Sequence, residues 1–246
     1  MQEKVALITG GARRVGAAIG RLLHQGGMNL MVHYRSSAEA ARALQSELAA
    51  RRSDSVALVQ ADLLNAASLP AMVNETLQQF GRLDVLINNA SSFFPTVVGE
   101  ITEREWDDLV GTNLKTPLFL SQAAAPHLRK SHGCIVNIID IHADRPMRNY
   151  LVYSLAKGGL VALTRSLAAE LGPEVRVNGV SPGAILWPED ERWSDELARQ
   201  RIVQTTLLKR VGDPEDIART VRFLVFDAPY VTGQVIAVDG GRSIHL

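Results

Sequence analysis

The sequence is poor in cysteine: Cys134 is the single cysteine among 246 residues. It lies in an apolar run that indicates a buried strand, where one thiol can form no internal disulfide. A chain that needs no disulfide needs no oxidising compartment. The sequence therefore predicts a cytoplasmic protein.

The chain also lacks an excess of either charge and any long hydrophobic run. Its 26 basic residues balance 26 acidic residues, so net charge favours neither a nucleic acid nor an anionic membrane as a partner. No apolar stretch reaches membrane-spanning length, and residues 1–4 lead into a strand without the apolar core of a signal peptide. The six histidines are scattered without paired carboxylates, a pattern that predicts no metal site.

What the chain does contain is an alternation of short β-branched segments with longer helical patterns. Nearly continuous apolar strands separated by helices are typical of a parallel sheet covered on both faces. The sequence predicts one α/β domain, residues 1–246, with a doubly wound Rossmann-type sheet of about seven strands. The predicted strands are 5–9, 30–34, 55–61, 85–89, 134–139, 176–181 and 234–238; the predicted helices are 15–25, 38–51, 69–80, 103–130 with a break near Thr112, 153–171 and 213–226.

One long irregular stretch interrupts this alternation and carries two prolines and two tryptophans. Long loops inside a compact domain are often functional. We expect a lid over an active site at about residues 182–205. Trp187 within it has two interpretations, since its ring could cover a substrate or pack the lid itself.

A glycine-bearing turn from Thr9 to Gly16 follows the first predicted strand and opens a helix. Glycines let the backbone approach a pyrophosphate, and the helix N-terminus offers unpaired N–H groups and a positive dipole end. The sequence therefore predicts a phosphate cradle at this turn. Its expected residues are Gly10, Arg13, Arg14, Val15 and Gly16.

The second predicted strand ends at Tyr34, Arg35 and Ser36 without a carboxylate. A site selective for NAD places Asp or Glu here to hold the ribose 2′-hydroxyl, and that carboxylate would repel a 2′-phosphate. Arg35, helped by Ser36, suits such a phosphate, and Arg14 approaches the same region from the glycine turn. The pattern favours NADPH as the cofactor.

Asp62 ends the third predicted strand, and its role has two interpretations. Its carboxylate could accept a hydrogen bond from the adenine amino group of a dinucleotide. Alternatively it could be the N-cap of a helix that begins at Leu63. The sequence alone leaves both open.

Tyr153 and Lys157 are four residues apart on a predicted helix. That spacing places the two side chains on one face, where an ammonium beneath a phenol is expected to lower the pKa of the phenol from about 10. The pair therefore predicts a proton donor. Asp140 lies upstream, at the end of the apolar strand that precedes this helix.

From residue 5 to residue 241 the chain resembles the short-chain dehydrogenases/reductases. The motifs that carry the resemblance are the Thr9–Gly10 turn, Asn88-Asn89-Ala90, Asn113, Tyr153 with Lys157, Ser181-Pro182-Gly183 and the final Val-Asp-Gly-Gly at 238–241. The resemblance implies a catalytic Tyr153, a Lys157 that also holds the nicotinamide ribose, an Asn113 that supports a water chain, and a homotetramer. It further implies a cofactor site that includes Tyr34, Asp62, Leu63, Asn89, Ala90, Ser91, Pro182 and Gly183.

Two departures from the general pattern of that superfamily point to one of its branches. Arg14 stands where most members have a third glycine, and Asp140 stands where they have a serine that hydrogen-bonds a substrate carbonyl. Together with the segment His33–Ser36 and with Phe93 after Asn89-Ala90-Ser91-Ser92, these departures are similar to the pteridine reductases. The resemblance implies NADPH-dependent reduction of a dihydrobiopterin, dihydromonapterin or dihydrofolate.

The chemistry of a pterin agrees with these residue types. Hydride reduction of a C=N bond requires a proton on the ring nitrogen, and a carboxylic acid at Asp140 supplements the phenol of Tyr153 as a proton source. Phe93 would stack on the flat heterocycle. The expected substrate-binding residues are Arg14, Ser91, Phe93, Asp140 and Tyr153.

Alternatives accompany this hypothesis. Phe93 could be plain core packing, and Asp140 a solvated strand end. The enzyme could be an NADPH-dependent carbonyl reductase acting on a ketone or a 3-oxoacyl group, although a carboxylate at position 140 would repel a developing oxyanion. The chain could also be a catalytically silent NADPH-binding sensor, which the retained Asn113, Tyr153 and Lys157 disfavour.

Overall fold

The structure is a computed structural model that describes residues 3–187 and 195–245. Residues 188–194 of the predicted lid lie outside the described residues, as do residues 1, 2 and 246. Across the part of the chain that is described, no helix has both the length and the apolar character needed to cross a membrane.

The described residues form one parallel sheet of seven strands in the order β3-β2-β1-β4-β5-β6-β7. This order confirms the predicted doubly wound α/β fold, because the chain moves outward from the centre in both directions. The strands are β1 (Val5–Ile8), β2 (Asn29–Tyr34), β3 (Val56–Gln60), β4 (Val85–Asn88), β5 (Cys134–Ile138), β6 (Arg176–Pro182) and β7 (Val235–Val238).

Helices cover both faces of the sheet, and all six predicted helices are present. Within the described residues the helices are α1 (Arg14–Gln25), α2 (Ala38–Ala49), α3 (Ser68–Phe80), α4 (Glu103–Val110), α5 (Thr116–Ser131), α6 (Leu151–Leu171), α7 (Glu196–Thr205), α8 (Pro214–Phe226) and α9 (Arg242–His245). The predicted helix 103–130 corresponds to two helices, α4 and α5. A π-helical turn, Gly111–Lys115, separates α4 from α5. The predicted break near Thr112 therefore lies inside that turn.

Helix α7 was not predicted, and it occupies part of the predicted lid. None of its residues is buried. A helix that buries no side chain against the core carries no apolar stripe, which is the signal that reveals a helix in a sequence. The short C-terminal helix α9 was also not predicted.

Side chains alternate between the two faces of the central strands. In β1, Ala6 and Ile8 face the layer formed by α1, α2 and α8, whereas Leu7 faces the layer formed by α3, α5 and α6. Strands buried on both faces need apolar residues at every position. This requirement explains the continuous apolar runs in the sequence.

Buried polar side chains tie α6 to the centre of the sheet. Asn88 Nδ2 donates to Asn137 Oδ1 at 2.8 Å, and Asn137 Nδ2 donates to Thr164 Oγ1 at 2.9 Å. The Thr164 hydroxyl donates in turn to the Leu160 carbonyl at 2.7 Å. Because buried polar groups pair only in one geometry, this chain of bonds fixes how α6 is rotated and shifted on the sheet.

Candidate active site

A cleft of about 640 Å³ opens where the strands β1 to β6 end. It lies at the carboxyl edge of the sheet, where ligands bind in doubly wound folds. The predicted residues that line it are Gly10, Arg13, Arg14, Val15, Gly16, Tyr34, Arg35, Ser36, Asp62, Leu63, Asn89, Ala90, Ser91, Phe93, Asp140, Tyr153, Lys157 and Pro182.

Two predicted residues do not line this cleft. Asn113 lies behind Ser91, and Gly183 packs on the segment after β7, where a Cβ would lie 2.7 Å from the Cβ of Asp239. The sequence reasoning missed other lining residues, namely Ala12, His33, Ser37, Ser92, Thr112, Ile138 and Ile139. Most of these residues are sequence neighbours of predicted residues at the ends of strands. The ends of the predicted strands were therefore the signal that could have identified them.

The glycine turn is held so tightly that only glycine fits at two positions. Gly10 has φ +58°, and a Cβ on Gly16 would lie 2.4 Å from the Gly10 carbonyl oxygen. Asn89 Nδ2 donates to the carbonyls of Thr9 and Gly10 at 2.9 and 3.0 Å. With the N-terminus of α1 directly behind it, this turn fits the predicted pyrophosphate of a dinucleotide.

Arg14 adopts a left-handed backbone conformation with φ +51°, which suits glycine and costs other residues about 1 kcal/mol. Its guanidinium donates to the carbonyls of Leu186 and Trp187 at 3.1 and 3.2 Å. The side chain therefore joins the glycine turn to the first part of the predicted lid. Its predicted contact with a 2′-phosphate stays a prediction.

The Trp187 ring packs near the guanidinium of Arg199 in α7, with 5.6 Å between the guanidinium carbon and the ring centre. This contact agrees with the interpretation that Trp187 packs the lid. Its alternative role as a cover for the substrate stays a prediction.

The helix-cap interpretation of Asp62 is wrong. Helix α3 begins at Ser68, not near Leu63. Asp62 Oδ1 instead accepts the N–H of Leu64 at 3.1 Å within a turn, while the side chain lines the cleft. The carboxylate is thus placed where the adenine end of a dinucleotide is predicted.

The predicted catalytic side chains come together on the floor of the cleft. The Tyr153 hydroxyl donates to Asp140 Oδ2 at 2.9 Å, and the other carboxylate oxygen accepts the His142 N–H at 2.8 Å. Lys157 Nζ donates to the Ile138 carbonyl at 3.0 Å and lies 5.7 Å from the centre of the Tyr153 ring. Asp140 is therefore not a merely solvated strand end.

Burial dominates the electrostatics of this group. It raises the pKa of Tyr153 well above its ordinary value, and Asp140 raises the pKa further by its charge and its hydrogen bond. Burial lowers the pKa of Lys157 to about 8, against the opposing charge of Asp140. The expected lowering of the Tyr153 pKa is therefore wrong for this structure, because burial raises the pKa and the charge and hydrogen bond of Asp140 add to the rise.

Ser91 and Asn113 extend the polar group on the other side of Tyr153. Ser91 Oγ donates to Asn113 Oδ1 at 2.7 Å, and the interaction of Ser91 with Tyr153 works against the raised pKa of the phenol. Asn113 lies in the π-helical turn and donates to the carbonyls of Ser92 and Leu109, both at 2.9 Å. Such turns often occur at functional sites. The water chain expected at Asn113 stays a prediction.

Phe93 is packed and lines the cleft at the same time. Its ring stacks on Tyr150 with 4.6 Å between centres, and it meets the Tyr153 ring edge-on at 4.8 Å. The aromatic contacts hold Phe93 beside the proton donor. Stacking of Phe93 on a substrate stays a prediction.

Known proteins of similar sequence include reductases with two kinds of name. A sequence family described as enoyl-(acyl carrier protein) reductase matches residues 10–243. The chain is 40% identical over 241 residues to a 3-oxoacyl-[acyl-carrier-protein] reductase of Staphylococcus aureus, with 97% of each chain covered. It is 38% identical over 280 aligned residues to pteridine reductase 1 of Leishmania tarentolae, covering 98% of this chain and 96% of the relative.

The geometry predicts the effect of removing the phenol. Tyr153→Phe should lower turnover by at least about a hundredfold, because it removes a positioned general acid. Dinucleotide affinity should stay within about twofold, since the glycine turn is untouched. Stopped-flow turnover and fluorescence titration of the dinucleotide measure the two quantities.

Tyr230→Phe is the matched control, because Tyr230 is fully exposed and does not line the cleft. It should keep the parent turnover. Near-normal turnover of Tyr153→Phe would show that Asp140 or water is sufficient as the acid.

Proposed function

Because this chain belongs to the short-chain dehydrogenase/reductase superfamily, we propose that it is an NADPH-dependent pteridine reductase, which transfers hydride to a C=N bond of a dihydropterin. Membership of the superfamily makes the chain an oxidoreductase. The observation that carries the finer proposal is the hydrogen bond between Tyr153 and Asp140 at the floor of the cleft.

The residues of the cleft fit a dinucleotide with a 2′-phosphate. The glycine turn and the N-terminus of α1 suit the pyrophosphate, while Arg35 and Ser36 at the end of β2 suit the 2′-phosphate. Both side chains are exposed and line the cleft, so they can contact a ligand. Bound NADPH would supply the hydride.

The two acidic side chains suit reduction of a ring nitrogen. Hydride addition to the carbon of a C=N bond leaves a nitrogen that must take one proton. Tyr153 holds a proton in its hydrogen bond to Asp140, and the carboxyl group of Asp140 is a second proton-exchanging group at the same place. A neutral hydroxyl at position 140 would have no comparable acid to offer.

Three further side chains support a flat aromatic substrate. Phe93 lines the cleft next to Tyr153, where it can offer an aromatic face to a heterocycle. Ser91 and Arg14 line the same cleft, and their side chains are of the types that hydrogen-bond to the polar edge of a pterin. The name of the Leishmania tarentolae relative agrees with this substrate class.

A second candidate is reduction of a 3-oxoacyl group, and the relatives from Staphylococcus aureus favour it. For such a ketone the site must stabilise a developing oxyanion. Asp140 is poorly suited to this task in its ionised form, because a carboxylate next to the oxyanion would repel it. The two candidates therefore differ in what they require at position 140.

Replacement of Arg35 tests the cofactor. Arg35→Asp should weaken NADPH binding by more than about tenfold and leave NADH binding unchanged or improved, because a carboxylate repels the 2′-phosphate and can accept from a 2′-hydroxyl. Fluorescence titration of both cofactors measures the change.

Arg104→Asp makes the same change of charge on the exposed surface of α4 and should leave both affinities unchanged. An Arg35→Asp variant that preferred NADPH as strongly as the parent would refute the phosphate assignment.

Replacement of Asp140 separates the two candidate substrates. Asp140→Ser should lower dihydropterin reduction by about a hundredfold, because a hydroxyl is a far weaker acid, while reduction of simple ketones or 3-oxoacyl thioesters appears or improves. Spectrophotometric NADPH oxidation against a panel of dihydropterins, dihydrofolate and ketones measures both activities.

The control Asp144→Ser changes an exposed carboxylate outside the cleft and should change neither activity. If Asp140→Ser kept full pterin turnover, Asp140 would not be an acid, and the pterin assignment would lose its main support.

We also propose that the protein assembles as a homotetramer. Apolar residues on α5 and α6 remain exposed in the single chain, namely Leu118 at 38%, Phe119 at 39%, Leu151 at 43% and Leu155 at 52%. Pairing of these helices with copies of themselves across two-fold axes would cover them.

Light scattering at micromolar concentration should report about four times the mass of one chain. Leu155→Arg should lower the measured mass by placing like charges in the interface. A monomeric parent protein would remove this proposal.

A further inference from the structure

His33, near the end of β2, connects three segments that border the cofactor end of the cleft. Its Nδ1 accepts the N–H of Gly10 at 3.0 Å, and its Nε2 lies 3.1 Å from the Ala61 carbonyl. Its own carbonyl accepts the N–H of Gly11 at 2.9 Å. The side chain is 2% exposed, so these bonds are shielded from water.

These bonds fix the protonation state of the imidazole. A backbone carbonyl can only accept, so the ring proton lies on Nε2, facing Ala61; an amide N–H can only donate, so Nδ1 is unprotonated. The neutral Nε2–H tautomer thus satisfies both partners. A second proton on Nδ1 would point directly at the N–H of Gly10.

The surroundings of His33 keep it neutral. Burial, the largest influence, lowers its pKa below the ordinary 6.5, against smaller opposing effects of the Ala61 hydrogen bond and the charge of Asp62. Strands β1 and β3 on either side carry no titratable side chain. The charged and titratable groups on neighbouring segments are Arg13 and Arg14 in the glycine turn, Arg21 and His24 on α1, Arg35 after β2, Asp62 after β3, and Glu39, Arg42 and Glu47 on α2.

The three connected segments have different parts in the proposed cofactor site. The glycine turn suits the pyrophosphate, the segment that begins at Tyr34 suits the 2′-phosphate, and the segment after Ala61 carries Asp62, predicted at the adenine. His33 contacts none of the reacting atoms. Its bonds act on the backbone that must keep its shape for a dinucleotide to fit.

We propose that neutral His33 is the positioning residue that holds the glycine turn in its binding geometry, and that its protonation below neutral pH weakens dinucleotide binding by displacing Gly10. This inference rests on the proposed dinucleotide site. It adds the expectation that the affinity for a dinucleotide falls as the pH is lowered, whether or not the dinucleotide carries a 2′-phosphate.

The 2′-phosphate provides the discriminating comparison. A phosphate monoester has a second pKa of about 6, so acid also weakens NADP⁺ binding by neutralising that group. NAD⁺ has no 2′-phosphate. A loss of NAD⁺ affinity on acidification therefore reports on the protein. Lys157 in the same cleft, with a pKa of about 8, also gains a proton over this range, so the part assigned to His33 is the part that disappears in His33→Asn.

The experiment measures dissociation constants of NADP⁺ and NAD⁺ by tryptophan fluorescence from about pH 7.5 to about pH 4.5, because burial lowers the pKa of His33 below its ordinary value. Parent protein should lose at least about tenfold in affinity for both dinucleotides once His33 is protonated, because a buried amide N–H then loses its acceptor. Circular dichroism at each pH confirms that the fold is intact.

Two substitutions isolate the hydrogen bond. His33→Asn retains an acceptor for the Gly10 N–H but cannot titrate, so its NAD⁺ affinity should stay within about threefold of the parent at neutral pH and lack the part of the acid loss that is assigned to His33. His33→Leu leaves that N–H without an acceptor and should bind both dinucleotides about tenfold more weakly at every pH.

The matched control is His132→Asn, which removes an exposed histidine at the left-handed end of α5, a conformation that asparagine accepts. It should keep the parent profile. A flat NAD⁺ profile in the parent, or an unchanged acid loss in His33→Asn, would overturn this inference alone. Failure of the parent to bind either dinucleotide at neutral pH would overturn the proposed cofactor together with it.

Discussion

The neighbouring positions of β1 and β4 are the constraint on which the rest of the site depends. The chain leaves β1 towards β2 and leaves β4 towards β5, so the segments that follow the two strands turn away from each other and leave a crevice. Thr9 closes the base of that crevice, because its hydroxyl accepts the N–H groups of Asn89 and Ala90 at 2.9 and 3.1 Å. The strand order thus creates the crevice. Residues that directly follow the end of a strand line it.

On the floor of that crevice, burial away from water determines the pKa values of the catalytic side chains. Burial disfavours charge on both Tyr153 and Lys157, which moves their pKa values in opposite directions. Asp140 is the group common to both, since it raises the pKa of each. The single carboxylate of Asp140, at the end of β5, therefore influences the protonation of both the phenol and the lysine. A substitution at position 140 is expected to change the pKa values of both groups.

Local geometry made much of this site predictable. The four-residue spacing of Tyr153 and Lys157 fixes their relation on any helix, and an apolar strand that ends at Asp140 must deliver that carboxylate to the carboxyl edge of a parallel sheet. Features that depend on three-dimensional neighbours were not predictable. The side chains of Arg14 and His33 bond to partners distant in sequence, and the break predicted near Thr112 has a π-helical form that the sequence pattern does not indicate. Helix α7 was missed because it buries nothing.

The anchoring of α6 has a consequence for the architecture of the cleft. Lys157 and Thr164 lie two turns apart on one face of the helix, and both bond to β5, through the Ile138 carbonyl and the Asn137 side chain. The orientation of Tyr153 is thus fixed by the hydrogen bonds between α6 and the sheet, and not by the connections at either end of the helix. Segments at the rim can therefore lengthen, shorten or exchange residues without turning the phenol, so the outer shape of the cleft and the orientation of Tyr153 are determined by different parts of the fold.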